Sequence, residues 1–120
     1  MSKILSYRDL IVWQKSIALS KMVYLHTREF PKTELYGLTS QMRRAAVSIA
    51  CNIAEGQARN TTGEFRQFLG ISKGSLAELE TLITIAKELS LLEGEESRDL
   101  FASCEEVSKL LNGLMKALSK

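Results

Sequence analysis

Apolar side chains recur along this chain at the three- and four-residue spacing of amphipathic helices, in four separate segments. The segments cover about residues 9–29, 38–55, 62–90 and 95–118, with short polar connections between them. Four amphipathic helices joined by short loops favour an antiparallel, up-down-up-down arrangement. The sequence therefore predicts an all-α fold in which residues 1–120 form a single four-helix bundle domain.

The first predicted helix has a strong apolar face, which disfavours the alternative of a three-helix bundle with a frayed first segment. Asp9 is expected to cap the start of this helix. Pro31 is expected to stop it, because the residue before a proline avoids the helical conformation. Four residues at helical spacing form the apolar face: Leu10, Trp13, Ile17 and Tyr24.

Capping residues and glycines indicate where the later helices begin and end. Thr39 or Ser40 is a suitable cap for the second helix. Thr61 and Glu64 have the spacing of a capping box at the start of the third helix. Glycine favours the left-handed conformation found at chain reversals. Three glycines are expected at such reversals: Gly56, Gly63 and Gly94.

The second predicted helix has two distinct faces when its residues are placed about 100° apart. The face toward the bundle contains Leu38, Met42, Ala46, Ile49 and Ile53. The opposite face carries short hydrogen-bonding groups with one charge near each end, unlike the lysines and glutamates of an ordinary exposed surface. This polar stripe is either a solvated face or a polar seam against another helix, another subunit or a ligand. Its members are Gln41, Arg44, Ser48, Asn52 and Glu55.

The third predicted helix carries small residues on the side opposite its apolar face. A glycine inside a helix costs up to about 1 kcal/mol relative to alanine, so two on one face indicate a close approach by another backbone. A packing interface between subunits of an oligomer would explain this small-residue stripe. The alternative is that the glycines are tolerated on a solvent-exposed face. The stripe consists of Gly70, Gly74, Ala77 and Thr81.

Composition limits the chemistry that the chain can perform. One proline and seven glycines are too few for the frequent turns of a β-sandwich or barrel. The single histidine excludes a multi-histidine metal site, and the spacing of residues indicates no cofactor, no small-molecule substrate and no catalytic constellation. Two distant cysteines, no apolar run of membrane-spanning length and no signal-peptide core lead to the expectation of a cytoplasmic protein.

Charge is distributed unevenly along the chain. Residues 1–87 contain twelve Lys and Arg against seven Asp and Glu, a net +5. Residues 88–120 contain four Lys and Arg against seven Asp and Glu, a net −3. A clustered basic face binds phosphate backbones through charge and counterion release. The candidate residues for contacts with a nucleic acid are Arg43, Arg44, Arg59, Arg66 and Lys73.

Several motifs in the first three predicted helices together resemble a known family. The most specific run extends from Gln41 to Gly56 and ends in Asn-Ile-Ala-Glu-Gly. Tyr7–Leu10 near the amino terminus and Gly74–Thr81 in the third helix also fit. Over nearly its whole length, the chain resembles the bacterial four-helix bundle proteins encoded in intervening sequences of 23S ribosomal RNA genes. It is similar also to the accessory proteins of diversity-generating retroelements.

The resemblance implies a small helical protein that assembles as a ring-like homopentamer and takes part in RNA-related processes. We therefore expect a non-enzymatic binding or scaffold protein that associates with RNA. The alternative is a protein–protein interaction or assembly factor without a nucleic-acid partner. In both cases the expected partners include other copies of the chain, and neither a membrane nor a metal ion is expected.

Overall fold

A computed structural model describes residues 6–119, and within this range every regular element is helical. The long helices are α1 (Ile11–Thr27), α2 (Ser40–Gln57), α3 (Thr62–Glu88) and α4 (Gly94–Ala117). α2 packs against α1 on one side and α3 on the other, and α4 packs against both α3 and α1. This closed order of neighbours confirms the predicted antiparallel, up-down-up-down four-helix bundle.

The core of the bundle contains the apolar residues that helical periodicity predicted for α2. All five are buried, and Met42, Ile49 and Ile53 have no exposed surface. Burying a side chain of this size stabilises the fold by about 1.5–3 kcal/mol. The other helices contribute their own fully buried side chains, among them Leu19, Leu69, Leu79, Ile83, Leu100 and Leu111.

The buried face of α1 differs from the predicted one. Ile17 and Tyr24 are 45% and 43% exposed, whereas Leu19 and Val23 are fully buried. Apolar side chains occur all around α1, so their spacing does not single out one face. The helix is therefore rotated relative to the expectation, and part of its predicted apolar face lies at the surface.

Two hydroxyl residues belong to the true buried face of α1. Ser16 and Thr27 are buried, and each donates a hydrogen bond of 2.7 Å to the carbonyl oxygen one turn earlier, that of Val12 and that of Val23. A buried hydroxyl costs free energy unless it is hydrogen-bonded, and these two are satisfied within their own helix. Because these two residues are polar, the spacing of apolar residues along α1 did not indicate that this face is buried.

One of the three predicted helix caps is present. Asp9 closes a short 3-10 turn before α1 begins and makes no cap. A π-helical turn runs directly into α2, so neither Thr39 nor Ser40 has the extended conformation of a capping residue. At the start of α3, Thr61 is the predicted cap, because its Oγ1 accepts a hydrogen bond from the Glu64 N–H at 3.1 Å. The other half of the predicted capping box is not formed, because Glu64 Oε1 accepts from the Thr61 hydroxyl at 3.1 Å instead of from its backbone N–H.

The chain reverses between the predicted helices, but the residues predicted to stop or turn it do not do so. α1 ends at Thr27, four residues before Pro31. Ser90, with φ of 60°, is left-handed at the end of α3, and the following Leu91 N–H donates to the Ala86 carbonyl at 2.9 Å. Three glycines predicted at reversals instead lie inside helices without positive φ: Gly56, Gly63 and Gly94.

Gly56 has a packing role that the reversal prediction missed. A Cβ built on it would lie 2.6 Å from Phe68 Cβ and 3.3 Å from the Phe65 carbonyl oxygen on α3. These separations are too short for any side chain, so the two helices approach closely only because residue 56 is glycine. The glycine therefore sets the distance between α2 and α3.

Candidate functional site

The polar stripe of α2 lies along the edge where this helix meets α3. Ser48 and Asn52 are half-buried in the middle of the stripe, and its other members are exposed. The hydroxyl oxygens of Ser48 and Ser75 are 2.9 Å apart, joining the two helices. Asn52 Nδ2 donates to the carbonyl and hydroxyl oxygens of Ser48 at 2.8 and 3.0 Å. The middle of the stripe is thus a seam against another helix of the same chain.

One end of the stripe opens into a polar pocket of about 330 Å³ between α2 and α3. Arg44 and Glu78 line this pocket from opposite helices, and both are exposed. Among the described residues, the ion pairs within 4.0 Å do not include one between these two charges. The polar pocket thus offers a guanidinium, a carboxylate, an amide and a hydroxyl together. Its lining consists of Gln41, Arg44, Ala45, Ser48 and Glu78.

Arg43, a predicted nucleic-acid contact, is used inside the bundle. Its side chain is half-buried, and its Nε donates a hydrogen bond of 2.9 Å to Thr27 Oγ1 on α1. The guanidinium lies 4.5 Å from the centre of the Tyr24 ring, a cation–π geometry. Arg43 therefore fastens α2 to α1, with its Nε–H bound to Thr27 and its Nη2 3.5 Å from the Tyr24 carbonyl oxygen.

Arg59, a second predicted nucleic-acid contact, is held by acidic neighbours. Its guanidinium pairs with Glu55 at 2.8 Å and approaches Glu64 to 3.8 Å. The same group lies 4.9 Å from the centre of the Phe68 ring. These contacts tie the end of α2 to the start of α3. They also account for Glu55, the last member of the polar stripe.

The remaining three basic candidates are exposed and occupy two separate places. Within residues 6–119, no ion pair includes Arg44, Arg66 or Lys73. Arg66 and Lys73 are seven residues apart, so they share one side of α3. Lys73 and Glu78 are five residues apart, which separates them by about 140° around the helix axis. The structure therefore does not gather the five predicted basic residues into one cluster.

The small-residue stripe of α3 lies on the outer surface, as predicted from its spacing. All four members are exposed, and no atom lies within 4 Å of a Cβ built at Gly70 or Gly74. Thr81 Oγ1 donates to the Ala77 carbonyl oxygen at 2.9 Å within the same helix. The surface is open to a second helix, and packing of an oligomer against it stays a prediction.

An exposed aromatic pocket was missed by the sequence analysis. Tyr36 is 94% exposed, and together with Leu35 and Tyr24 it lines a pocket of about 310 Å³. Arg44 lines this aromatic pocket as well as the polar pocket, so it stands between the two. The available signal was the apolar pair Leu35-Tyr36 inside a connection, since connections are usually polar.

The cysteines and the histidine have distinct environments. Burial and, to a smaller extent, the nearby Glu80 carboxylate together raise the pKa of the Cys104 thiol to about 12, so this thiol is protonated at neutral pH. Cys51 is exposed. His26 Nδ1 lies 3.3 Å from Glu96 Oε2 and links α1 to α4. Within residues 6–119, no three potential metal ligands of the His, Cys, Asp or Glu type come together.

None of the helices described between residues 6 and 119 combines the length and the apolar character that crossing a membrane requires.

The comparisons with known proteins agree with the fold and identify a family. A crystal structure from Bacteroides thetaiotaomicron, of an S23 ribosomal protein family member with unknown function, superimposes with a TM-score of 0.81. The two sequences are 21% identical, and the superposition covers 88% of this chain and 96% of the Bacteroides chain. No curated protein matches this chain. The family model for 23S rRNA-intervening sequence proteins matches residues 8–113, and the chain therefore belongs to that family.

Proposed function

We propose that this protein is a non-enzymatic, oligomeric binding protein that contacts RNA through the α2–α3 surface around Arg44. The position of Arg44 carries the proposal. This side chain is exposed, has no ion-pair partner among the described residues, and separates a polar pocket from an aromatic one. The family name, which refers to ribosomal RNA, also favours an RNA partner.

The chemistry around Arg44 suits RNA for three reasons. A guanidinium binds a phosphate through two parallel hydrogen bonds. The amide of Gln41 is the kind of group that contacts sugars and base edges. Exposed aromatic rings such as that of Tyr36 stack on unpaired bases. Arg66 and Lys73 add positive charge on the far side of α3, where they would contact the backbone of a longer RNA.

A salt titration of RNA binding tests the proposal. Fluorescence anisotropy with a labelled RNA stem-loop should give an association constant that falls linearly with salt concentration on logarithmic axes. Arg44→Ala should weaken binding roughly ten-fold and reduce the slope by about 0.7–1, because one phosphate contact is lost. The double variant Arg43→Ala/Arg44→Ala should reduce this slope further than Arg44→Ala does.

Lys109→Ala is the matched control for this titration. It also removes one positive charge, but Lys109 lies on α4 in an exposed ion pair with Glu105 at 3.2 Å. Its affinity and slope should equal those of the wild type. Absence of wild-type binding near 50 mM salt would overturn the RNA proposal. Equal losses of RNA affinity in Arg44→Ala and Lys109→Ala would show that Arg44 is not a specific RNA contact.

The oligomer is proposed to pack on the small-residue stripe, with a ring-like pentamer as the expected assembly. The open space over Gly74 supports this, since a bare helix surface lets a second backbone approach closely. Gly74→Leu should dissociate the assembly while leaving helicity intact, as measured by native mass spectrometry and circular dichroism. Gly113→Leu is the control, because Gly113 is equally open but lies on α4. A Gly74→Leu variant with native mass would contradict this interface.

The second candidate function is a protein-interaction or assembly factor without a nucleic-acid partner. The exposed aromatic pocket favours it, because apolar side chains such as Tyr36 and Leu35 are typical of contacts with other proteins. The salt titration separates the two candidates. This alternative requires that no RNA binds at low salt, and that Tyr36→Ser abolishes binding to a purified protein partner.

A further inference from the structure

We propose that the polar pocket between α2 and α3 binds a single unpaired guanine base. This inference rests on the proposed RNA-binding function and names the ligand of its central site. Three polar side chains that line the pocket have no hydrogen-bond partner among the described residues, and all three are exposed: Gln41, Arg44 and Glu78. Opposite charges that share a pocket without pairing leave both charges available to one ligand.

The walls of the polar pocket present donors on one side and an acceptor on the other. Gln41 and Arg44 lie three residues apart on α2, so they project from the same side of that helix. Glu78 projects from α3. Ala45, which is buried, also lines the pocket between these polar groups.

The fourth polar group of the pocket is already occupied. The Ser48 hydroxyl accepts a hydrogen bond from Asn52 at 3.0 Å and lies 2.9 Å from the Ser75 hydroxyl. These contacts hold Ser48 in place and join the two helices that form the walls. The pocket is therefore supported by a fixed seam, while its three free polar groups face the ligand.

Guanine matches this arrangement of donors and acceptors. Its O6 and N7 atoms accept two hydrogen bonds from an arginine, the commonest specific pairing between proteins and bases. Its N1–H and N2–H₂ groups donate, and an ionised carboxylate such as Glu78 accepts only. Adenine places an acceptor at N1, and uracil flanks its N3–H with two carbonyl oxygens, so both repel the carboxylate. Cytosine also offers a donor to a carboxylate, at N4–H₂. Guanine alone combines the O6/N7 acceptor pair with two adjacent N–H donors that a carboxylate binds in parallel.

The size of the polar pocket and the form of RNA fit this assignment. About 330 Å³ is ample for one base. Unpaired bases in loops and single strands are the usual targets of sequence-specific RNA recognition. The proposed ligand is therefore a guanine displayed by a loop, a bulge or a single-stranded segment.

Single-stranded RNA oligomers test this proposal directly. The probes are labelled oligouridylates of about ten nucleotides that carry one central guanosine, adenosine, cytidine or inosine, and a single guanosine avoids quadruplex formation. The wild type should bind the guanosine oligomer roughly ten-fold or more tightly than the adenosine oligomer, as expected for one bidentate base contact. Inosine, which lacks N2–H₂, should fall between them.

Glu78→Gln should abolish the preference for guanosine without weakening binding to plain oligouridylate. Glu88→Gln is the control, because it removes one exposed carboxylate from the same helix outside the pocket. A preference that persists in Glu78→Gln overturns the assignment to this pocket. Equal affinity of the wild type for all oligomers overturns the guanine proposal and leaves the RNA function standing. No binding to any oligomer or stem-loop overturns both.

Discussion

The two sides of α2 meet their neighbours in different ways. Toward α3 the backbones come close, because Gly56 has no side chain and the Ser72 hydroxyl reaches the Ile49 carbonyl oxygen at 2.9 Å. Toward α1 a long side chain spans the gap, since Arg43 reaches Thr27 and the ring of Tyr24. One helix thus uses small residues for one neighbour and an arginine for the other.

This difference explains why two adjacent arginines have different roles. One step along a helix rotates a side chain by about 100°. Arg43 therefore points toward α1 and is half-buried, whereas Arg44 is exposed at the pocket beside α3. The side of α2 that packs through short groups borders the polar pocket, and the side toward α1 borders the aromatic pocket, which Arg43 and Arg44 both line.

Replacing Gly56 should produce the largest effect on stability. In Gly56→Ala the added methyl group meets Phe68 Cβ and the Phe65 carbonyl oxygen, and we expect a net loss of about 2 kcal/mol in the free energy of unfolding. Gly70→Ala is the control, because its Cβ meets nothing within 4 Å and should stabilise the helix by about 0.5–1 kcal/mol. Urea unfolding followed by circular dichroism measures both; equal effects would mean that α2 and α3 can separate freely.

Removing Arg43 should cost less. Arg43→Ala loses the hydrogen bond to Thr27, a longer one to the Tyr24 carbonyl oxygen and one cation–π contact, and the free energy of unfolding should fall by about 1–1.5 kcal/mol. Arg44→Ala should change it by less than about 0.5 kcal/mol, since Arg44 is exposed and makes no ion pair within residues 6–119. The reverse order in the same urea experiment would show that Arg44, rather than Arg43, joins helices.

The serine pair should contribute the smallest effect. Ser75→Ala removes the contact with the Ser48 hydroxyl, but that hydroxyl still accepts from Asn52 and is accessible to water. We expect a loss of about 0.5 kcal/mol. Combining Ser75→Ala with Ser48→Ala in a double-mutant cycle isolates the coupling between the two. A loss larger than that of Arg43→Ala would make this pair the main link between α2 and α3.

Much of the fold could be predicted because helical periodicity is a local property. The apolar residues of α2 and the outward position of the small-residue stripe both followed from spacing alone. The apolar face of α1 did not, because Ser16 and Thr27 are buried with their hydroxyls bonded to their own backbone. A polar side chain that is satisfied within its helix gives no sign in the sequence that it faces the core.

The candidate site was predicted in its composition but not in its arrangement. Sequence reasoning selected both Arg44 and Arg59, although Glu55 and Glu64 hold Arg59 within the fold. Glu78 was not selected, because Arg44, the charge with which it lines the pocket, belongs to another helix. Charges on two different helices have no fixed spacing along the chain. The sequence therefore could not predict which of them would share a pocket.

By itself, the sequence determined four helices, the family and the inner face of α2, since each depends on spacing or motifs within one segment. The tertiary structure alone decided that Gly56 packs between helices instead of turning the chain, and that Arg43 and Arg44 serve different purposes. These outcomes depend on how each helix is rotated and how closely its neighbour approaches. Those quantities arise only when several segments bury their apolar faces together.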